Sequence, residues 1–274
     1  MGNNTGEHHD IYIAFIDDHL NVQNQTFLRK VAKKYDAGIH YYNLKGDFLY
    51  GFPVGEWAIE MWLRLYAVKF LPQSIDKILY LDADIVIIKT IRDFYMQNLD
   101  GYYFAGCEDI AIRNDDYEKS FVGLKHSDIY INSGVLMINL KGMRDTIDLK
   151  RMTSWVEERR NKLKFPDQTT LNALFHEEIK ICDDFIYNCQ IGAYSYTREK
   201  DILQNSCVLH FVGSRPWDVK YRRKLCSAVS GKVWWKYAVQ CGFKYKMKYM
   251  KWRICNFFLA EWWNIGYRIL KGRS

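Results

Sequence analysis

Asp82 and Asp84 stand one residue apart inside an otherwise apolar run, Lys77-Ile-Leu-Tyr-Leu-Asp-Ala-Asp-Ile-Val-Ile-Ile-Lys89. An unpaired buried carboxylate costs several kcal/mol or shifts its pKa, so such a strand does not keep two without compensation. The run reads as one strand buried on both faces, and its period of two puts both acids on the same side. Two hard oxygen ligands presented together suit Mg²⁺ or Mn²⁺, ions that commonly complete their shell with substrate phosphates. The alternative is a strand end with two solvated acids, and Asp-x-Asp by itself does not decide between them. Arg64, in Trp62-Leu-Arg-Leu-Tyr66, lies on an apolar helix face, where a buried guanidinium needs a partner. Asp167 and Gln168 follow Pro166 at a helix start, where they either cap the helix or face a ligand. His210 alone reads as a packed histidine. Behind a short strand and ahead of Gly213-Ser-Arg-Pro-Trp217, in a chain with Asp-Ala-Asp, it reads as a ligand.

The elements that must position these residues follow from periodicity. Ile11–Ile16 reads as a buried strand ended by Asp17-Asp18, Asn21–Lys34 as a helix, and Gly38–Leu44 as a second strand. This β-α-β pattern predicts a parallel pair with a right-handed crossover. Glu56–Leu71 reads as a helix closed by Pro72, and Tyr102–Gly106 as a strand. Asp128–Leu140 is strand-like, with Asn132-Ser-Gly134 as a break where a ligand or another backbone comes close. Thr146–Lys162 is an amphipathic helix, another helix starts at Pro166, and Ile179–Cys182 and Cys207–Phe211 are short strands.

With 49% hydrophobic and 26% charged residues, the chain buries a substantial core and disorder is excluded. The seven cysteines form no CxxC pair, which favours reduced thiols in a cytosolic setting. No apolar run reaches the ~20 residues that cross a bilayer. The net charge of +7 is uneven: residues 219–274 hold fourteen Lys or Arg and one acid, Glu261, so the remainder is net acidic. Within residues 244–273 the basic residues interleave with Tyr249, Trp252, Phe257, Phe258, Trp262 and Trp263, a composition suited to an anionic membrane surface. Nucleic acid and simple packing on the body are the competing readings of the tail, and no nucleic acid is expected.

Four segments occur in order: Tyr80-Leu-Asp-Ala-Asp-Ile, Tyr130-Ile-Asn-Ser-Gly-Val-Leu-Met-Ile-Asn-Leu140, Phe165-Pro-Asp-Gln-Thr-Thr-Leu-Asn172 and Leu209-His-Phe-Val-Gly-Ser-Arg-Pro-Trp217. Together they resemble the retaining glycosyltransferases of family 8, which include bacterial lipopolysaccharide galactosyl- and glucosyltransferases and glycogenin-like enzymes. The resemblance implies an α/β fold of the GT-A type: a nucleotide-sugar-binding, Rossmann-like mixed sheet flanked by helices. It covers roughly residues 10–218 and implies one domain over residues 1–218, with residues 219–274 as a basic, aromatic, helical tail. It implies a UDP-hexose donor (UDP-galactose or UDP-glucose), Mn²⁺ or Mg²⁺, and transfer with retention to a glycan or lipid-linked glycan. Asp82, Asp84 and His210 match the metal ligands. Arg64, Ala83, Asn132, Asp167, Gln168, Gly213 and Arg215 match nucleotide-sugar-binding positions, and Gln168 and Asp109 match the catalytic ones. A glutamine is a poor nucleophile, so metal-assisted departure of UDP carries the implied chemistry. The implied place is the inner face of the cytoplasmic membrane, as a peripheral protein; the alternative is an inactive binding module of the same fold.

Two departures stand out. Gly213-Ser-Arg-Pro is shorter than the family's segment and has Arg for Lys, which are not equivalent on a diphosphate. Only one β-α unit precedes the Arg64 segment where the family has two, so the chain is expected to begin one unit late. Asp17-Asp18 standing in for the family's uridine-binding segment is the alternative.

Overall fold

A computed structural model of the chain describes residues 8–194, 199–213, 216–217, 229–242 and 245–250. Arg215 and the tail beyond residue 250 lie outside them. Asn21 opens the first helix by accepting a hydrogen bond from the Asn24 N–H at 2.9 Å. Lys33 and Lys34 close it at the end that favours positive charge. This helix, α1 (Val22–Lys34), joins β1 (His9–Ile16) to β2 (Ala37–Leu44) as the expected parallel β-α-β unit.

Beyond it come α2 (Ala67–Phe70), β3 (Lys77–Leu81), β4 (Ile85–Ile87), α3 (Arg92–Tyr95), β5 (Phe104–Glu108), α4 (Asp116–Phe121) and β6 (Ile131–Asn139). Then follow α5 (Leu140–Thr146), α6 (Leu149–Arg159), α7 (Pro166–Phe175), β7 (Ile179–Cys182), α8 (Asp184–Tyr187), β8 (Cys189–Gln190), α9 (Glu199–Asn205) and β9 (Val208–His210). The described strands form three sheets: β1-β2, β3-β6-β5-β7 and β4-β9-β8. Neither β1 nor β2 is hydrogen-bonded to β3, whose residues are all only half-buried.

Several expected elements are corrected. Glu56–Leu71 is not one helix but a 3-10 segment, Ile59–Arg64, followed by the single turn of α2. Every residue from Met61 to Ala67 is buried, so no face is left for solvent, and packing on all sides overrides the helical period. Lys77–Lys89 is not one strand. The chain leaves one sheet at Asp82, whose N–H donates to the Gly134 carbonyl at 2.8 Å. It joins another where the Asp84 carbonyl accepts from the Phe211 N–H at 3.0 Å. Asn132-Ser-Gly134 does not interrupt β6. It lies in a bulge of β6, where the pairing with β5 jumps from Gly106↔Leu136 to Cys107↔Asn132. The helix expected over Thr146–Lys162 starts earlier and divides into α5 and α6, capped by Asn139 and Asp148.

The main core gathers around β6, which is buried from Ile131 through Ile138. A smaller cluster of Val86, Leu209 and Phe211 is covered by Val233, Trp234 and Tyr237 from a helix at Val229–Ala238. Leu136 is 0% exposed and Val22 73% exposed. Urea denaturation is therefore expected to show Leu136→Ala losing about 2–5 kcal/mol. Val22→Ala is expected to stay within about 0.5 kcal/mol of the parent.

Candidate functional site

Arg64 ends the 3-10 segment with its guanidinium 6% exposed, and every direction it faces holds an acceptor. Nε donates to the Met61 carbonyl at 2.9 Å and lies 3.1 Å from Asp167 Oδ2. One terminal nitrogen donates to the Ser133 carbonyl at 2.5 Å and to its Oγ at 2.9 Å; the other pairs with Asp82 Oδ1 at 3.0 Å. The Tyr80 ring lies 4.3 Å from the guanidinium carbon, and the Tyr80 hydroxyl donates to Asp82 Oδ1 at 2.7 Å. Burial works against the Arg64 charge, but Tyr80, Asp167 and Asp82 outweigh it and hold the proton more firmly than usual. Burial raises the Asp167 pKa, with the Arg64 charge and the Ser133 hydroxyl pulling the other way.

Beside this clamp, Pro166 at the first turn of α7 brings Asp167 and Gln168 to the bulge of β6. Asn172 locks the two elements together: its amide oxygen accepts from Ile131 N–H at 2.8 Å and its nitrogen donates to the Ile131 carbonyl at 2.9 Å. Gln168 Oε1 accepts from Ser133 N–H at 3.0 Å and Asn132 Nδ2 at 3.1 Å; its nitrogen donates to Asp109 Oδ2 at 2.9 Å. Asn132 Nδ2 also reaches Asp109 Oδ2 at 3.1 Å. All four side chains (Asp109, Asn132, Asp167 and Gln168) are buried.

Asp82, Asp84 and His210 converge next to this network, each offering an atom within 4.8 Å of the others. His210 Nε2 is 3.2 Å from Asp84 Oδ1 and 3.9 Å from Asp82 Oδ2. A Cβ on Gly134 would stand 2.4 Å from His210 Cε1 and 2.7 Å from Asp82 Oδ2, so only glycine leaves this cradle open. Two carboxylates and an imidazole at this spacing are a donor set that fits a divalent ion such as Mn²⁺. Ala83 is exposed on the turn between the two aspartates.

The model of glycosyl transferase family 8 matches residues 3–220. The chain belongs to this family.

Its relatives include a putative glycosyltransferase of Haemophilus influenzae, 25% identical over 185 residues, which are 66% of this chain and 54% of that protein. They also include the lipopolysaccharide 1,2-glucosyltransferase of Escherichia coli K12, 28% identical over 222 residues, 76% of this chain and 63% of that protein. The chain thus spans between about half and two thirds of these curated relatives' length. Among solved structures, the galactosyltransferase LgtC with donor and acceptor sugar analogues superposes with a TM-score of 0.67 at 20% identity. The overlap covers 82% of this chain and 93% of LgtC. The fold of this family-8 chain is the mixed α/β fold of GT-A glycosyltransferases.

Ten of the eleven site residues singled out in the sequence lie among the described residues of this family-8 chain, and nine of these ten gather around the β6 bulge or the aspartate turn. Gly213 follows His210 with φ of 64°, a left-handed conformation that glycine adopts without strain. Asn188 was missed. It is 0% exposed and lies between His210 and Asn132, bonded to both, yet it sits just before a two-residue strand that no periodicity reveals. Removing the guanidinium leaves Asp167 buried without its cation. Arg64→Met is expected to cost about 3–5 kcal/mol by urea denaturation. Arg64→Lys is expected to recover only part of this, because an ammonium cannot span the same fork.

Proposed function

We propose that this chain moves a hexose from UDP-galactose or UDP-glucose to a glycan or lipid-linked glycan acceptor, with retention at the anomeric carbon and with Mn²⁺ or Mg²⁺ bound. The observation that carries the reading is the convergence of Asp82, Asp84 and His210 beside the buried Asp109–Asn132–Gln168 network. A bound divalent ion would neutralise diphosphate charge and assist the departure of UDP. Asp82 Oδ2, Asp84 and His210 hold that ion, while Arg64 fixes the other oxygen of Asp82. Asp109, Asn132 and Asp167 line the position of the sugar hydroxyls. Gln168 Oε1 already accepts two hydrogen bonds, so this oxygen has little to offer as a nucleophile. Its amide nitrogen is held by Asp109 Oδ2, which fixes the side chain beside the position of the sugar. Gly213 and Arg215 complete the reading as the diphosphate clamp.

The acceptor side of the proposal is a membrane surface at the cytoplasmic face, reached through residues 244–273. Its support is the charge of the tail, fourteen Lys or Arg against one acid over residues 219–274. Each basic residue near an anionic bilayer contributes about 1 kcal/mol. No described helix is long and apolar enough to cross a membrane. Co-sedimentation with phosphatidylglycerol vesicles at low salt, released as salt rises, is the expected behaviour; equal binding to neutral vesicles would remove the electrostatic reading.

A second reading, a binding module of the same fold without turnover, is favoured by one observation: β1-β2 is not hydrogen-bonded to β3. Calorimetric titration with UDP, with and without Mn²⁺, separates the two. The transferase reading expects Mn²⁺-dependent UDP binding, and loss of turnover in Asp84→Asn at an unchanged melting temperature. Turnover retained in a folded Asp84→Asn protein would sink the metal assignment, and absence of UDP binding by the parent would sink the donor.

A further inference from the structure

Asn188 caps the end of α8, its N–H donating to the Asp184 carbonyl at 3.0 Å. The parallel pairing of β8 with β9 then sets Gln190 opposite His210, which brings Asn188 against the inner edge of the imidazole. Its Oδ1 lies 2.8 Å from His210 Nδ1, and its Nδ2 lies 3.0 Å from Asn132 Oδ1.

These contacts leave no freedom of orientation. Asn132 Oδ1 accepts from the Gly134 backbone N–H at 3.0 Å, and a backbone amide can only donate. Asn132 Nδ2 meets the Asp109 carboxylate, which accepts, and Gln168 Oε1, which is itself identified as the oxygen by the Ser133 N–H. Asn132 therefore presents its oxygen to Asn188. Asn188 must present its nitrogen in return, and its own oxygen to His210. The only group that can answer that oxygen is an Nδ1–H. With Nδ1 protonated, the neutral ring carries its lone pair on Nε2, the atom that faces Asp82 and Asp84.

We propose that Asn188 is the positioning residue of the cation site: it holds His210 as the Nδ1–H tautomer and so directs the Nε2 lone pair to the ion. The instruction originates in the backbone of the β6 bulge and passes through Asn132. This proposal rests on the reading of Asp82, Asp84 and His210 as a cation site. It extends that reading by a residue that touches neither the ion nor the sugar, and partners of this kind are typically worth about 10–100-fold in metal affinity.

The test uses the full chain labelled with ¹⁵N-histidine, free of metal, at a pH above the usual imidazole range, about 8. The His210 signal is identified by its loss in His210→Gln. The expected result is the Nδ1–H pattern in the parent and in Asn188→Asp, whose carboxylate still accepts from Nδ1. In Asn188→Ala the pattern is expected to move to Nε2–H, with Mn²⁺ affinity, read from the electron paramagnetic resonance of free Mn²⁺, weakened about 10–100-fold. An Nε2–H pattern in the parent overturns the proposal. So does a folded Asn188→Ala that keeps both tautomer and affinity, or a parent that binds no Mn²⁺. Should Asn188→Ala not fold, the parent and Asn188→Asp spectra still decide. The predicted tautomer and Mn²⁺ affinity together with no UDP binding would leave this proposal standing and remove only the transferase reading.

Discussion

A guanidinium taken out of water has to be met on every side, and the way Arg64 is met organises the rest of the site. Its three nitrogens reach Met61, Ser133, Asp82 and Asp167, which belong to four separate segments of the chain. No local propensity brings these segments together. Breaking one partner away leaves a buried charge uncompensated, so the arrangement holds as a unit. The clamp also divides the labour within Asp82. Oδ1 is spent on Arg64 and on the Tyr80 hydroxyl, which leaves Oδ2 turned to His210 and the cation position. A carboxylate held by one oxygen presents the other at a defined place, and that pre-organisation lowers the cost of binding an ion.

The bulge of β6 serves the same end through the backbone. In a regular strand, the amide and carbonyl of Ser133 would be used by a neighbouring strand. Here the register of β5 jumps past them. The freed Ser133 N–H goes to Gln168 and its carbonyl to Arg64, while the Gly134 N–H goes to Asn132 and its carbonyl to the Asp82 N–H. One irregularity thus feeds both the cation pole and the amide network. A fully paired strand would have had no groups to give, since buried backbone donors and acceptors are almost always committed.

The parts of this architecture that were legible in the sequence are those written in local chemistry. Asn21 to Lys34 carries its own cap and period, and its flanking strands pair as a β-α-β pattern dictates. Pro166-Asp-Gln announces a helix start whether or not a ligand is near. Asp82 and Asp84 announce a compensating charge, though not the turn that separates them, because Ile85-Val-Ile87 reads alike in one sheet or the next. The Arg64 segment reads as an α-helix because its apolar spacing is helical. Burial on every face, a tertiary property, made it a 3-10 segment instead. Asn188 carries no local signal at all, since its role exists only once β8 has paired with β9.

The site is built in two unequal halves. The half around Asp82 and His210 closes on itself: from Asp82 through Arg64, Asp167, Ser133, Gln168, Asn132 and Asn188 to His210, each residue is bonded to the next, Ser133 reaching Gln168 through its backbone N–H. None of those bonds involves β1 or β2. The other half borders β3, whose Ile78, Leu79, Tyr80 and Leu81 are only half-buried and whose one strand partner among the described residues is β6. Asp17 and Asp18 stand exposed just after β1 and outside the ring of bonds. Tyr80 joins the two halves: it belongs to β3, its hydroxyl donates to Asp82 Oδ1 at 2.7 Å and its ring lies 4.3 Å from the Arg64 guanidinium carbon, so β3 takes part in securing both.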